Sequence, residues 1–379
     1  MSRLTAAEDR IVESARDILA SQVMPRVRAW DGGQADSCAV LPAFGAAGLL
    51  GIQVPVAHGG LGLSFHCKRQ VAEILAGADF GLAMSVVNTH NVAHHLANSA
   101  TSDVARRYVP ALLCGERVGC TALTEPGAGS DFSAITTVAR HVGDEWQLDG
   151  SKAWIVNATH ADVIVVYAQT EPGSGARGIA AFVVDGRRSG FVRQARADTA
   201  AAPGIGAGGF ELQGYRAQAD ELLHPPGKAF KAALGSINGA RTYVAAMCCG
   251  MVRECLRVAS AYGAQRHTFG KPLHEHQGWR WSLADAAIDL EAARLMVDAA
   301  ANLIDAGGDA QTAAAQAKVF ATRMAGRHIA ALMHAMGAEG LLGQHPFLRH
   351  LAAAQVATLT DGSTEMLLDR VARGLRSAE

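Results

Sequence analysis

The chain has 379 residues, of which 49% are hydrophobic and 18% are charged, and its formal net charge is −1 at pH 7. This length is enough for more than one hydrophobic core. The balanced charge excludes a strongly basic surface for nucleic acid or an anionic membrane. We find no run of about 18 uncharged apolar residues and no signal peptide, so no membrane partner is expected. Seven scattered cysteines without a CxxC pair predict reduced thiols in a cytoplasmic protein, without a metal site.

The first part of the chain, residues 1–118, has the pattern of a helical domain. Thr5 and Glu8 have the spacing of a capping box, and the apolar residues that follow recur at helical spacing. The pattern then predicts a glycine-rich loop over residues 54–64 and helices over residues 83–97 and 104–113.

From residue 119 to residue 225, the apolar residues alternate as they do in β-strands. Gly143-Asp144 is a turn, and Asp149-Gly150 is a hairpin signal. Runs rich in β-branched residues predict strands over residues 163–167 and 179–184. This part is predicted to be a small, barrel-like antiparallel β domain.

The last part, residues 226–379, is rich in alanine and predicts a four-helix bundle. Its predicted helices cover residues 240–265, 275–306 and 310–336, with a shorter helix after Gly362. The whole chain is thus predicted to be an α+β protein of three domains, an N-terminal α-helical domain, a middle antiparallel β domain and a C-terminal helical bundle.

The most informative motif is the loop at residues 121–131, TALTEPGAGSD. Its glycines, Gly129 among them, let backbone N–H groups approach a bound group, and the hydroxyls of Thr124 and Ser130 add donors and acceptors. Such a loop suits a flavin edge and a phosphate. A plain surface loop is the alternative that turn chemistry alone favours. The motif resembles the flavin-binding signature of the acyl-CoA dehydrogenase family, which implies that Thr121 and Leu123 also contact FAD and that Ser130 also contacts substrate.

A second motif, GSKAWIVN at residues 150–157, resembles the family pattern GxKxWITN. The resemblance implies that Trp154 lies against the flavin ring, where an aromatic face stacks and excludes water. Residue type and pattern alone favour a core tryptophan on a strand. The family threonine that hydrogen-bonds flavin N5 is Val156 here. Valine makes no such bond, so the flavin potential or its reactivity with oxygen is expected to differ.

A third motif, RHTFGKP at residues 266–272 followed by Gln277, resembles the family pattern RxxFGKP…Q. In the family this segment reaches the FAD of a neighbouring subunit, with the arginine against the pyrophosphate. An arginine suits this position because its guanidinium group can form bidentate hydrogen bonds with a phosphate, as expected for Arg266. The alternative is a basic residue at a helix C-terminus. The resemblance implies that Thr268 and Phe269 also bind FAD and that the protein is a homodimer or homotetramer.

A fourth segment, HAMGAEG at residues 334–340, aligns with the family pattern QxxGGxG, which also reaches the FAD of a neighbour. His334 replaces the glutamine and Ala338 replaces a glycine, whereas Gly337 is retained. The resemblance implies a cofactor contact for all three residues.

A fifth motif, DGSTEM at residues 361–366, resembles the family pattern EGTSEI, whose glutamate is the catalytic base in most members. The resemblance implies that Asp361 is the base, that Gly362 contacts substrate, and that Ser363 and Glu365 contact FAD. Aspartate is shorter than glutamate by about 1.5 Å, and a base must reach its proton closely. The structural alternative is that Asp361 caps the helix that follows.

Two further residues near the base follow from the resemblance. Arg241 matches the family arginine beside the base and is a candidate to keep Asp361 ionised, and Asn238 is assigned to substrate binding. A family arginine seven residues after the base is Leu368 here. A subset of the family places its base at the position of Ala240, and alanine rules out that alternative.

The resemblance implies an FAD enzyme that removes the α proton and the β hydride of an acyl thioester. Acyl-CoA and acyl-carrier-protein substrates remain alternatives, since GSTEM is close to the GSSEM of carrier-protein-linked relatives in secondary metabolism. The acceptor of the electrons is expected to be an electron-transfer flavoprotein or another acceptor. Two other functions remain open. One is a flavin oxidase or monooxygenase resembling nitroalkane oxidases, which use aspartate at this position. The other is a relative that only binds thioesters.

Overall fold

The computed structural model describes residues 4–31, 37–194 and 203–376. Within these ranges, six α-helices precede the sheet. They are α1 (Ala6–Ile18), α2 (Val27–Asp31), α3 (Leu41–Ala46), α4 (Phe65–Ala78), α5 (Phe80–Ser99) and α6 (Ser102–Leu113). The capping box at the start of α1 is confirmed. Thr5 Oγ1 accepts from the backbone N–H of Glu8 over 3.3 Å, and Glu8 Oε2 accepts from that of Thr5 over 2.8 Å.

The middle of the chain forms one mostly antiparallel sheet of eight strands. They are β1 (Gly119–Ala122), β2 (Val138–Val142), β3 (Glu145–Ile155), β4 (Val163–Gln169), β5 (Ile179–Asp185), β6 (Phe191–Arg193), β7 (Gly208–Gln218) and β8 (Leu222–His224). The spatial order is β6-β7-β3-β2-β4-β5-β8, and β1 pairs in parallel with β4. Helices α5 and α6 pack on this sheet through residues such as Leu96, Tyr108 and Val165.

The rest of the chain is helical apart from one small hairpin. Its elements are α7 (Ala229–Gln265), β9 (His267–Thr268), β10 (Lys271–Pro272), α8 (Gln277–Asp305), α9 (Gln311–Ala335), α10 (Phe347–Leu359) and α11 (Thr364–Arg376). Helices α7 to α10 form a bundle, as predicted, although α10 was not among the predicted helices, and α11, the predicted helix after Gly362, lies against α9. No helix in the described ranges has the length and apolar character needed to cross a membrane.

The N-terminal and C-terminal helices share one apolar core. Val71 and Leu75 of α4 are buried in the same cluster as Val244 and Met251 of α7. The sheet is joined to this helical body by Asn157, whose Nδ2 donates to the carbonyls of Ser85 and Gly119 over 3.2 and 3.0 Å. The β domain is therefore inserted between two halves of one helical body, as the order of the segments predicted.

Two local predictions were wrong. Asp149-Gly150 is not a hairpin, because β3 continues through it and pairs with β7 across a register shift. Gly150 has φ +147°, and a Cβ there would lie 2.6 Å from the Cα of Thr137, so a close backbone approach requires the glycine. Helix α7 begins at Ala229 rather than at residue 240, since burial of Ala229 and Ala233 outweighs the weak helix propensity of the glycines that follow.

Candidate active site

The loop at residues 121–130 is held in place by a buried ion pair. Its two residues lie in the first and second motifs, but the sequence analysis gave neither of them a role. Lys152 of β3 and Glu125 of the loop are 1% and 4% exposed, and Lys152 Nζ lies 2.8 Å from Glu125 Oε1. The same Nζ donates to the carbonyl of Leu123 over 3.1 Å. Glu125 also accepts from the backbone N–H groups of Thr136 and Thr137 over 2.6 and 3.0 Å. Strand β3 and the loop therefore form one rigid unit.

This unit presents polar groups that are not used within the protein. In the described part of the chain, the side-chain hydroxyls of Thr121, Thr124 and Ser130 have no recorded hydrogen bond. A Cβ at Gly127 would meet nothing within 4 Å, and at Gly129 the nearest atom would lie 4.0 Å away. The loop is thus an open, hydroxyl-lined surface with a fixed backbone.

Trp154 is not a core residue, because its side chain is 65% exposed. It has φ +59°, next to a register shift in β3, and Asn157 three residues on has φ +65°. Positive φ in a non-glycine residue is uncommon and costs free energy, so it persists where the surrounding structure imposes it. Val156 packs against the helical core. The segment therefore turns the indole outward beside the open loop.

Trp279 lies at the centre of a second group of predicted residues. None of the five sequence motifs contains this tryptophan. Its indole Nε1 donates to the carbonyl of Ala335 at the end of α9 over 2.9 Å. A Cβ at Gly263, near the end of α7, would lie 2.0 Å from its ring. Trp279 thereby brings three helix ends together. The predicted cofactor residues on these ends are Arg266, Thr268, Phe269, Gln277, His334, Gly337 and Ala338.

The hairpin between α7 and α8 exposes its tip fully. Phe269 and Gly270 have φ +50° and +79°, the backbone of a tight two-residue hairpin, and Phe269 is 96% exposed. Leu273 N–H donates to the carbonyl of Arg266 over 2.8 Å, and Thr268 contacts the imidazole of His276. The hairpin therefore presents the ring of Phe269 to solvent at a position that its backbone hydrogen bonds fix.

The third group surrounds the turn between α10 and α11, where Asp361 lies. Arg241 Nε donates to the backbone carbonyl of Asp361 over 3.2 Å, and Arg241 Nη1 donates to Asn238 Oδ1 over 3.1 Å. The ammonium of Lys318, from α9, donates to the carbonyls of Thr360 and Gly362 on either side of Asp361. Both cations are buried, at 9% and 1% exposure. They fix the backbone of the turn, and they leave the carboxylate itself uncommitted.

Asp361 is not the cap of α11. The backbone N–H of Met366 points to Ser363 Oγ over 3.5 Å, and no hydrogen bond of the Asp361 carboxylate is recorded within the described residues. Asp361 has φ +54° and is followed by Gly362 at φ +100°, so the carboxylate is set by a strained turn. This geometry removes the structural alternative and favours a chemical role.

The electrostatics of the turn suit a base. Burial raises the pKa of Asp361 above its ordinary value, and the charges of Lys318 and Arg241 act in the opposite direction. Burial likewise lowers the pKa of Arg241, whereas Asp361 raises it. A carboxylate with a raised pKa is a stronger base toward the proton that it accepts.

Two arginines that follow Asp361 along the chain, Arg370 and Arg373, have other partners. Arg370 donates to Gln311 Oε1 over 2.9 Å, and Arg373 pairs with Asp369 over 2.7 Å. Leu368 is 39% exposed, and Glu365 is exposed in the first turn of α11. Arg241 and Lys318 are therefore the cations that act on Asp361.

Three family models together match most of this chain. They describe the N-terminal, middle and C-terminal domains of acyl-CoA dehydrogenases and match residues 5–116, 120–214 and 227–376. The chain belongs to the acyl-CoA dehydrogenase family.

Individual relatives agree with this assignment over nearly the whole length. The short-chain specific acyl-CoA dehydrogenase of Bos taurus is 32% identical over 93% of this chain and 86% of its own. Butyryl-CoA dehydrogenase from Megasphaera elsdenii has a TM-score of 0.95, with 28% identity and 99% of both chains covered. Glutaryl-CoA dehydrogenase from Mycobacterium smegmatis, solved with FADH2, has a TM-score of 0.92 at 25% identity, covering 98% of this chain and 95% of that one.

These findings confirm that the protein is an acyl-CoA dehydrogenase-like oxidoreductase acting on CH–CH groups, with FAD as its cofactor. The residues present fit that cofactor. The free hydroxyls of Thr124 and Ser130 suit the polar edge and phosphates of FAD, and the exposed indole of Trp154 suits its ring. The contacts of each residue to FAD and substrate remain predictions.

The structure brings the predicted residues together as three groups rather than one. The first group is the loop with Trp154 and Val156, the second surrounds Trp279, and the third surrounds Asp361. No hydrogen bond or ion pair in the described residues joins one group to another. Lys318 belongs to the third group, although no family pattern pointed to it. Its signal in the sequence was only a lysine within an alanine-rich helical run.

We expect Glu125→Gln to destabilise the protein by about 3–5 kcal/mol, since it leaves Lys152 buried and unpaired. Burial raises the pKa of Glu125, but the charge of Lys152 and the hydrogen bonds that Glu125 accepts lower it further, to about 2. The stabilisation by Glu125 is thus complete above the unfolded pKa near 4.5 and is lost as pH falls toward 2. Urea unfolding between pH 3 and 7 measures both effects. Glu171→Gln, at an exposed turn, is the control, and equal stability of the two variants would contradict the role of the ion pair.

We expect Lys318→Met to shift the acid limb of flavin reduction upward by about one pH unit. The charge of Lys318 lowers the pKa of Asp361, so its loss lets that pKa rise, and the base becomes protonated at higher pH. The pH dependence of anaerobic flavin reduction by an acyl-CoA measures the shift. Lys318→Arg retains the charge and should retain most of the profile, and Lys231→Met is a control on the exposed face of α7. An acid limb that stays in place in folded Lys318→Met would show that Lys318 acts only on the fold.

Proposed function

We propose that this protein performs the α,β-dehydrogenation of an acyl thioester, with Asp361 as the base. The observation that supports it most is the state of the turn at residues 360–362. Two buried cations hold its carbonyls, whereas the carboxylate of Asp361 makes no recorded bond in the described residues. A positioned carboxylate without a structural partner is expected where it must accept a proton.

The residues of this chain supply the acid–base part of the reaction. Asp361 accepts the α proton of the thioester, and its raised pKa makes that transfer less unfavourable. The negative charge that develops on the thioester oxygen needs a donor, and the backbone N–H of Asp361 is the candidate. Arg241 and Lys318 keep the turn fixed while the proton moves. FAD, when bound, accepts the hydride of the β carbon.

The finer assignments are part of the same proposal. The acyl group is carried by CoA or by an acyl carrier protein of secondary metabolism, and the sequence of the Gly362–Met366 segment is the support for the second carrier. The electrons pass to an electron-transfer flavoprotein or another acceptor, and the enzyme works in the cytoplasm. The three domains are assigned to residues 1–118, 119–225 and 226–379.

We expect Asp361→Asn to slow flavin reduction by about 10²–10⁴-fold, because the amide does not accept the α proton. The measurement is anaerobic bleaching of the flavin by a panel of acyl-CoA and acyl-carrier-protein thioesters. Asp369→Asn, an exposed residue of α11, is the matched control. Unchanged bleaching in Asp361→Asn would exclude Asp361 as the base, and a purified protein that takes up no FAD would exclude the proposed function.

The proposed enzyme is a homo-oligomer in which the hairpin of one subunit reaches the FAD of another. The support is the hairpin tip itself, where Phe269 is 96% exposed although it is apolar. Trp281, near the start of α8, is 61% exposed as well. Aromatic side chains are enriched at protein–protein interfaces.

We expect Phe269→Asp to lower both the oligomeric state and the FAD content, because a carboxylate replaces an apolar anchor at an interface. Light scattering after gel filtration measures the mass, and flavin absorbance measures the affinity for FAD, which should fall about tenfold or more. Val142→Asp changes another exposed apolar residue, on the sheet, and serves as the control. If Phe269→Asp retains both mass and FAD, the hairpin does not form the interface.

A further inference from the structure

A lysine without a counter-ion is buried between α4, α5 and α7. Lys68 is 6% exposed, and its Nζ donates to Asn91 Oδ1 over 2.6 Å. The rings of Phe65 and Tyr243 lie 5.8 and 5.5 Å from this Nζ. In the described ranges no carboxylate pairs with Lys68. Burial of an ammonium without an anionic partner costs free energy, so stability does not explain this residue.

The groups around Lys68 offer more hydrogen-bond donors than acceptors. Asn91 Nδ2 donates to the hydroxyl oxygen of Tyr243 over 3.3 Å, which leaves the Tyr243 proton for another acceptor. His90 Nε2 accepts from the backbone N–H of Gln53 over 3.0 Å, which places the proton of the neutral imidazole on Nδ1. That Nδ1 is buried without a partner. Lys68 has three N–H bonds and uses one of them on Asn91.

Lys68 is the residue of this group that can carry a positive charge, and burial lowers its pKa to about 7, so it is only partly protonated near neutral pH. Burial and the charge of Lys68 lower the pKa of His90 well below its ordinary value, and they lower the pKa of His94 to about 4. Both imidazoles are therefore neutral near pH 7. We call Lys68, His90 and Tyr243 the donor cluster, since each has a proton that no acceptor in the described residues takes.

The donor cluster adjoins the turn that holds Asp361. Tyr243 lies two residues after Arg241 on α7, and Arg241 donates to the carbonyl of Asp361. Besides burial, the charge of Asp361 raises the pKa of Tyr243, so the two residues lie within electrostatic range. Gly239, one turn earlier on α7, faces α4, because a Cβ there would lie 3.2 Å from the ring of Phe65. The donor cluster and the turn of Asp361 thus lie against the same segment of α7, residues 239–243.

We propose that the donor cluster binds a carboxylate at the end of the acyl group remote from the thioester. This inference rests on the proposed function, since it assigns the far end of the same substrate. A carboxylate offers acceptor positions for several donors and the charge that Lys68 lacks. An alkyl chain would leave the ammonium buried without further hydrogen-bond acceptors and without a counter-charge. The substrate class is therefore the thioester of a dicarboxylic acid, and Lys68 determines the specificity.

The test compares two acyl groups of equal length on one carrier, with and without Lys68. Glutaryl and pentanoyl thioesters of CoA and of an acyl carrier protein are mixed with the FAD-loaded enzyme, and kcat/KM for flavin reduction is measured. Wild type should favour glutaryl over pentanoyl by about 10- to 100-fold, the range for hydrogen bonds to a charged group. Lys68→Met should lose this preference, Tyr243→Phe should reduce it, and Lys231→Met should retain it.

Thermal unfolding separates this role from a structural one. If Lys68 serves the ligand, Lys68→Met removes an uncompensated charge and should unfold at the same temperature or higher. A lower unfolding temperature together with an unchanged preference would overturn the proposal, as would a wild type that favours pentanoyl. If neither thioester reduces the flavin, the wider panel of acyl thioesters decides the proposed function, and equilibrium binding of glutaryl and pentanoyl thioesters decides the inference separately. Tighter binding of the glutaryl thioester that depends on Lys68 supports the inference, and equal binding of the glutaryl and pentanoyl thioesters overturns it.

Discussion

A buried ammonium group must be compensated by acceptors or by an opposite charge, and this constraint shapes the surroundings of three lysines in this protein. Three lysines are buried in the described residues, and they differ in what surrounds the charge. Lys152 has the carboxylate of Glu125, Lys318 has two backbone carbonyls, and Lys68 has a single amide oxygen. Burial lowers their pKa values to about 8, 8 and 7. Lys152 fixes the loop at residues 121–130, Lys318 fixes the turn of the proposed base Asp361, and Lys68 has no anionic partner in the described residues.

The first two buried lysines fix backbone beside side chains that have no partner in the described residues. The Glu125–Lys152 pair makes a rigid platform, so the loop hydroxyls and the indole of Trp154 stay free for a bound group. The cations at the turn bond to carbonyls, so the carboxylate of Asp361 stays free for a proton. In both places the protein satisfies the backbone with buried charges and leaves the functional side chain unused. Lys68 resembles these two places, because its ammonium has N–H groups without an acceptor in the described residues.

Much of the fold and part of the site could be predicted from the sequence. The capping box at Thr5, the change of period near residue 119 and the alanine-rich helices are local signals, and the structure agrees with them. Gly150 misled the prediction because a glycine before a turn and a glycine under a neighbouring backbone look alike in sequence. Helix α10 was not predicted either, since its buried residues form a pattern only against α7 and α9.

The sequence by itself determined the family, the cofactor and the identity of the residues that carry its motifs, because these depend on residue types at short spacings. It left open whether Asp361 caps a helix and whether Trp154 lies in the core. Only the tertiary structure decided these points, since exposure and bonding depend on elements far apart in the chain. Lys68 and Trp279 show the same limit. A lysine in one helix is unremarkable until two other helices bury it, and a tryptophan joins three helix ends only after the bundle has formed.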